Sequence, residues 1–240
     1  KNHKQLMNAE LAINEGADNL LRPDGSKAFV ALMASEKVFQ TYTFETTNPG
    51  GHSARPRKDN AIYDLAKGLV NLGNYSFPVQ LNEVTKAYLE KMSAFETGQL
   101  ADDMRAIAKN PNDEAALARM SDKPYYNNLL RTTCVATMLS AGHATNALPQ
   151  RAKATVNCRI LPGASVDEVQ KTLQQVVAND KIKITPDHAP VLSPPSPLTD
   201  KMVSAVTKVS GELFPGIPVI PAALKNAGSK KRVPISGTRI

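Results

Sequence analysis

Val38-Phe39-Gln40-Thr41-Tyr42-Thr43-Phe44-Glu45-Thr46 alternates, with Val38, Gln40, Tyr42 and Phe44 on one side and Phe39, Thr41 and Thr43 on the other. A period of two in β-branched and aromatic residues predicts a strand. Asn48-Pro49-Gly50-Gly51 ends it. Asp59 is then placed to cap a helix with Ile62, Leu65, Ala66, Leu69 and Val70 on one face. Residues 131–139 and 153–160 read as two further strands, joined by a loop that holds Gly142 and Pro149. Ser165 and Glu168 have the spacing of a capping box, ahead of a helix with Val166, Val169, Leu173, Val176 and Val177 on its buried face. Residues 181–185 read as a short strand. The order is β-α-β-β-α-β, the split βαβ, ferredoxin-like pattern of an α+β domain.

Outward from that frame, residues 80–125 read as a helical insertion. Val84, Ala87, Tyr88 and Met92 suit one helix, and Met104 and Ile107 another, with Asn110-Pro111 as a break. Residues 1–36 read as a helix end, a short strand at Ala9-Glu10-Leu11-Ala12-Ile13-Asn14 and a turn at Arg22-Pro23-Asp24-Gly25. Residues 189–200 are proline-rich and suit a linker. A helix over residues 200–213 and a short apolar strand over residues 217–220 follow. The chain therefore divides into 1–36, 37–190 and 191–240.

The chain has 240 residues and a net charge of +7. The basic residues are spread out, the dense runs being Arg55-Pro56-Arg57-Lys58 and Lys230-Lys231-Arg232. With few aromatics and no Trp there is no base-stacking platform, so nucleic acid is not an expected partner. No apolar run approaches the ~18 residues of a membrane span, and Lys1-Asn2-His3-Lys4 leads into no apolar signal-peptide core. The two cysteines, Cys134 and Cys158, form no CxxC pair. If the two central strands make a hairpin centred near Asn146, they face each other, as a disulfide or as two buried thiols.

Four histidines are present: His3, His52, His143 and His188. No HxD, HExxH or Cys/His spacing assembles a complete metal site. His52 stands out by its setting, after a strand and a Pro-Gly-Gly turn where the backbone can approach something closely. An imidazole there can donate a hydrogen bond to a developing oxyanion; the plainer reading is that His52-Ser53 only prepares a helix start. Arg159 lies on a strand among small or apolar neighbours and calls for an anionic partner, either a ligand carboxylate or a nearby Glu. Asn146 sits in the connecting loop, where turn chemistry alone would also account for it. Glu15, after a short apolar strand, is a possible metal carboxylate or a solvated side chain.

Three segments taken together resemble one family: Asn14-Glu15-Gly16, Asn48-Pro49-Gly50-Gly51-His52-Ser53-Ala54-Arg55-Pro56, and Gly142-His143-Ala144-Thr145-Asn146-Ala147-Leu148-Pro149 through Asn157-Cys158-Arg159-Ile160-Leu161-Pro162-Gly163. In order and spacing they look like the dinuclear zinc aminoacylase/carboxypeptidase family, in its carboxypeptidase S-like branch, over about residues 5–225. The resemblance implies a catalytic α/β domain holding two zinc ions and, inserted into it, a ferredoxin-like lid that often mediates dimerisation. It matches Glu15 to a zinc ligand and His52 to a lid histidine that stabilises the oxyanion, often in the partner subunit's site. Asn146 matches a lid asparagine near the substrate, Arg159 the arginine that binds the substrate's terminal carboxylate, and Gly237 a glycine of the loop near that carboxylate. The first zinc motif, the bridging aspartate and the general-base glutamates lie upstream of Glu15 in the family, and the last histidine ligand lies beyond Ile240.

The expected function is therefore zinc-dependent hydrolysis of an amide bond in a short peptide or N-acyl amino acid, by a homodimer paired through the lid. The 240 residues alone are expected to be inactive. A periplasmic or secreted location is expected over a cytoplasmic one. The rival is a non-catalytic dimerisation or binding module with the same lid fold, which predicts no zinc even in the full-length protein. An upstream His-x-Asp followed by Glu-Glu separates the two.

Overall fold

The computed structural model describes residues 20–21, 27–192 and 194–222. In chain order the elements are β1 (Leu20–Leu21), β2 (Lys27–Met33), β3 (Val38–Thr47), β4 (Gly51–His52), α1 (Ala61–Asn74), α2 (Glu83–Met92), α3 (Gly98–Lys109), α4 (Glu114–Ser121), α5 (Pro124–Leu130), β5 (Thr133–Ala141), β6 (Ala147–Leu148), β7 (Arg151–Ile160), α6 (Val166–Val177), β8 (Lys183–Pro186), α7 (Asp200–Leu213) and β9 (Val219–Ala222). The expected β-α-β-β-α-β frame is β3, α1, β5, β7, α6 and β8. They make one sheet in the order β5-β7-β3-β8, antiparallel throughout.

Alternation in β3 puts Val38, Gln40, Tyr42, Phe44 and Thr46 on the buried face, and Ala152, Ala154, Val156, Cys158 and Ile160 of β7 share it. α1 and α6 close this face with Leu65, Leu72, Val169, Leu173 and Val177. The other face carries Phe39, Thr41, Thr43, Glu45, Asn157 and Arg159 and is not covered by these helices. Cys134 and Cys158 are register partners and form a disulfide that ties β5 to β7.

α1 departs from the expected helix in cap and phase. Asn60, not Asp59, caps it, its Oδ1 accepting from the Ile62 N–H at 2.8 Å. The buried stripe is Ala61, Leu65, Gly68 and Leu72, while Ile62 and Val70 are 40% and 61% exposed. Gly68 decides the phase. A Cβ there would come within 2.3 Å of Ile182 Cδ1, so the glycine is the groove into which Ile182, just ahead of β8, packs. Counting bulky apolar residues cannot see a contact made by the absence of a side chain.

The helical insertion packs away from this sheet. Val84, Tyr88, Leu89 and Met92 of α2, Met104 and Ile107 of α3, Met120 of α4 and Leu129 and Leu130 of α5 share a core with Phe29 of β2 and Ile220 of β9. β2 and β9 pair in parallel, Val30 opposite Val219. α5 and β2 lie outside the elements expected from the sequence; Ala28-Phe29-Val30-Ala31-Leu32-Met33 is an unbroken apolar run with no period-two signal. Buried Asp103 of α3 is gripped by Arg119 of α4, Nη2 to Oδ1 at 2.6 Å, and this guanidinium holds the Asp103 carboxyl below the usual carboxylate range.

Lys37 sits where the chain crosses from β2 to β3. It is buried, and its Nζ donates to Asn128 Oδ1 at 2.8 Å and to the Arg131 carbonyl at 2.5 Å. Burial, reinforced by the positive charge of Arg159, pushes its ammonium down to about 7. An unfolded lysine keeps its proton to about pH 10.4, so between roughly pH 7 and 10 the folded state binds fewer protons and stability rises with pH. We expect stability to climb by about 1.4 kcal/mol per pH unit across that window, and Lys37→Met to flatten the climb. Parallel denaturation profiles for the two proteins from pH 7 to 10 would refute this.

Candidate functional site

The turn after β3 is held at both ends. Asn48 accepts from the Gly50 N–H through Oδ1 at 3.0 Å and donates through Nδ2 to Asp59 Oδ2 at 3.1 Å. Arg57 grips the same Asp59 carboxylate with Nε at 2.9 Å and Nη2 at 2.8 Å, and this pairing holds Asp59 down at about 2. Gly50 has φ +78°, and a Cβ on it would come within 2.7 Å of Gln150 Cγ. Glycine is needed there both for the left-handed backbone and for the close approach of the β6–β7 segment.

That approach builds a contact not expected from the sequence. β4 and β6 form a two-residue antiparallel ladder with His52 opposite Ala147, and the Ser53 N–H donates to the Asn146 carbonyl at 2.9 Å. His52 and Asn146, ninety-odd residues apart, are thereby neighbours, both exposed. The Ala54 N–H donates to His52 Nδ1 at 3.1 Å. An acceptor Nδ1 fixes the neutral ring's hydrogen on Nε2, so a donor is available at the outer edge of the ring.

Arg159 stands elsewhere. Its register partner on β3 is Phe39, whereas the turn leaves β3 beyond Thr47, which is opposite Arg151. Eight strand positions separate the two ends, roughly 26 Å at about 3.3 Å per residue. One copy's His52 and Arg159 cannot both reach a single amino-acid residue. Among the described residues Arg159 makes no ion pair, so the expected alternative of a nearby Glu is not what engages it. Its guanidinium instead lies 4.7 Å from the centroid of the Phe39 ring, and that ring is stacked on His188 with centroids 6.1 Å apart and an interplanar angle of 5°. Phe39 and His188 were not among the expected site residues; the available signal was an aromatic on the otherwise polar side of β3.

Glu15 and Gly237, like His3, lie outside the described residues. Among the described residues no group of three or more His, Cys, Asp or Glu side chains is arranged to hold a metal ion, so none of them is assigned to zinc. Nor, among them, is any helix long and apolar enough to cross a membrane.

A four-stranded antiparallel sheet with two helices on one face, in the order β-α-β-β-α-β, is a ferredoxin-like domain. The chain belongs to the M20 peptidases: the family model described as the peptidase dimerisation domain matches residues 34–185. It is 28% identical over 225 residues to probable carboxypeptidase S-like 2 of Dictyostelium discoideum, covering 90% of this chain and 42% of that protein. It is 29% identical over 181 residues to the N-fatty-acyl-amino acid synthase/hydrolase PM20D1 of Homo sapiens, covering 75% of this chain and 36% of that one. The chain thus spans less than half the length of these relatives. A crystal structure of the M20 family metallo-carboxypeptidase Sso-CP2 from Sulfolobus solfataricus shares the fold, with a TM-score of 0.54, 19% identity, and coverage of 87% of this chain and 49% of that one.

Proposed function

We propose that the whole protein hydrolyses the amide bond of a short peptide or N-acyl amino acid, with zinc held by residues outside those described. It acts as a homodimer in which His52 and Asn146 of one copy meet the substrate that Arg159 of the other copy holds. The carrying observation is the separation of His52 and Asn146 from Arg159 on one sheet. The names of the relatives, a carboxypeptidase S-like protein and an N-fatty-acyl-amino acid synthase/hydrolase, support the substrate class.

β5 supports the pairing. It is a sheet edge of nine residues without a charge, Thr133-Cys134-Val135-Ala136-Thr137-Met138-Leu139-Ser140-Ala141, and Val135, Met138 and Leu139 are 57%, 69% and 67% exposed. A long edge strand without charges is a pairing surface. The register of β5 with β7 shifts once, between Ala136 and Met138, and the residues on both sides of the shift stay exposed. The Thr133 end of β5 lies beside Arg159, and the Ala141 end leads into the loop with Asn146. An antiparallel two-fold pairing of β5 with its copy reverses these ends, and so brings the partner's His52 and Asn146 end alongside this copy's Arg159 end. A disulfide between β5 and β7 suits a periplasmic or secreted protein.

The test is subunit mixing in the full-length protein. Assayed with a carboxylate substrate well below its KM, His52→Ala and Arg159→Ala homodimers should each be nearly inactive. In a mixed dimer one site takes its arginine from the first variant and its histidine from the second, and is intact. Equal mixing should therefore restore about a quarter of wild-type activity. If exchange is verified and activity stays at the level of the separate variants, the site does not cross the dimer.

A further inference from the structure

On the uncovered face of the sheet several of the other polar groups are paired with one another. Arg151 pairs with Glu45, Asn157 donates to Thr41 Oγ1 at 3.2 Å, and Thr43 donates to Asp187 at 2.7 Å. Arg159 differs. Its cross-strand neighbour is Phe39, half exposed at 47%, whose ring underlies the guanidinium, and the nearby charge it feels is a like one, Lys37. The ring is braced in turn. His188 stacks on it, and the His188 carbonyl accepts from Gln40 Nε2 at 3.1 Å, so the linker after β8 is tied to β3 beside Phe39.

We propose that Phe39 is a positioning residue for Arg159, holding the guanidinium by its face so that its N–H donors stay free for the carboxylate of the incoming substrate. This rests on the reading of Arg159 given above. An Asp or Glu in the place of Phe39 would orient Arg159 equally well. It would also occupy the same donors and cancel the charge that attracts an anion. An aromatic face orients the cation through its quadrupole and consumes no N–H. His188 keeps the ring in register with the sheet.

The experiment compares Arg159→Ala, Phe39→Leu and Phe39→Trp in the full-length enzyme, on an N-acyl amino acid and on the same compound with its carboxylate converted to a carboxamide. Phe39→Leu is expected to raise KM for the carboxylate substrate by about 2–30-fold, to change kcat little, and to leave KM for the carboxamide nearly unaltered. Phe39→Trp should return KM toward the wild-type value. A loss on both substrates alike, or no change in KM for the carboxylate, overturns the positioning role while leaving Arg159 as the carboxylate site. If Arg159→Ala itself leaves the preference for the carboxylate intact, the reading of Arg159 fails, and the role of Phe39 falls with it.

Discussion

Replacing His52 with alanine in the full-length protein is expected to lower kcat by about 10²–10³-fold, with a far smaller change in KM. The physical reason is the state of the ring. The Ala54 N–H already uses Nδ1, so the neutral imidazole presents Nε2–H as a donor, and the chain has spent its order on holding that donor in advance. Asn48, Gly50 and the Arg57–Asp59 pair fix the turn. A donor fixed before the reaction stabilises charge that appears on the carbonyl oxygen only as the amide is attacked. It contributes little to the uncharged ground state. Steady-state kinetics on an N-acyl amino acid would settle the matter: an unchanged kcat rejects the role, and a rise in KM alone would make His52 a binding group instead.

Arg159→Ala is expected to raise KM for substrates with a free carboxylate by roughly 10–100-fold, the equivalent of losing charge-assisted hydrogen bonds worth about 1.5–3 kcal/mol. Arg159→Lys should recover only part of this, because an ammonium on a flexible stem lacks the planar fork that meets two carboxylate oxygens. The control is the carboxamide analogue. Equal losses on both substrates would mean that Arg159 supports the sheet or the dimer rather than the carboxylate.

The sheet was legible because its cues are local. Alternation through Val38 to Phe44 and the Ser165 cap each sit within one element, and Ser165 does accept from the Glu168 N–H at 3.3 Å. The two central strands were legible from their own residues, and a hairpin between them centred near Asn146 implied facing cysteines; the register does place Cys134 opposite Cys158. What stayed hidden depends on contacts across long stretches of chain. The phase of α1 is set by Ile182 seated over Gly68. The meeting of His52 with Asn146 depends on a ladder of two residues, too short to leave a pattern. Arg159 was legible as a cation needing a partner, but not its partner, since a cross-strand neighbour is known only once the register is. The separation of Arg159 from His52 follows from that same register.

The parallel pairing of Val30 with Val219 sets a schedule during synthesis. At about 5–20 residues per second the ribosome delivers β9 roughly 10–40 s after β2. Through that interval the edge of β2 that does not face β1 waits without its mate, open to pairing with the wrong chain. The four helices α2–α5 emerge earlier, and their buried side chains share a core with Phe29. Their place in the middle of the sequence gives the nascent chain a cover for β2 long before the sheet it belongs to can be finished.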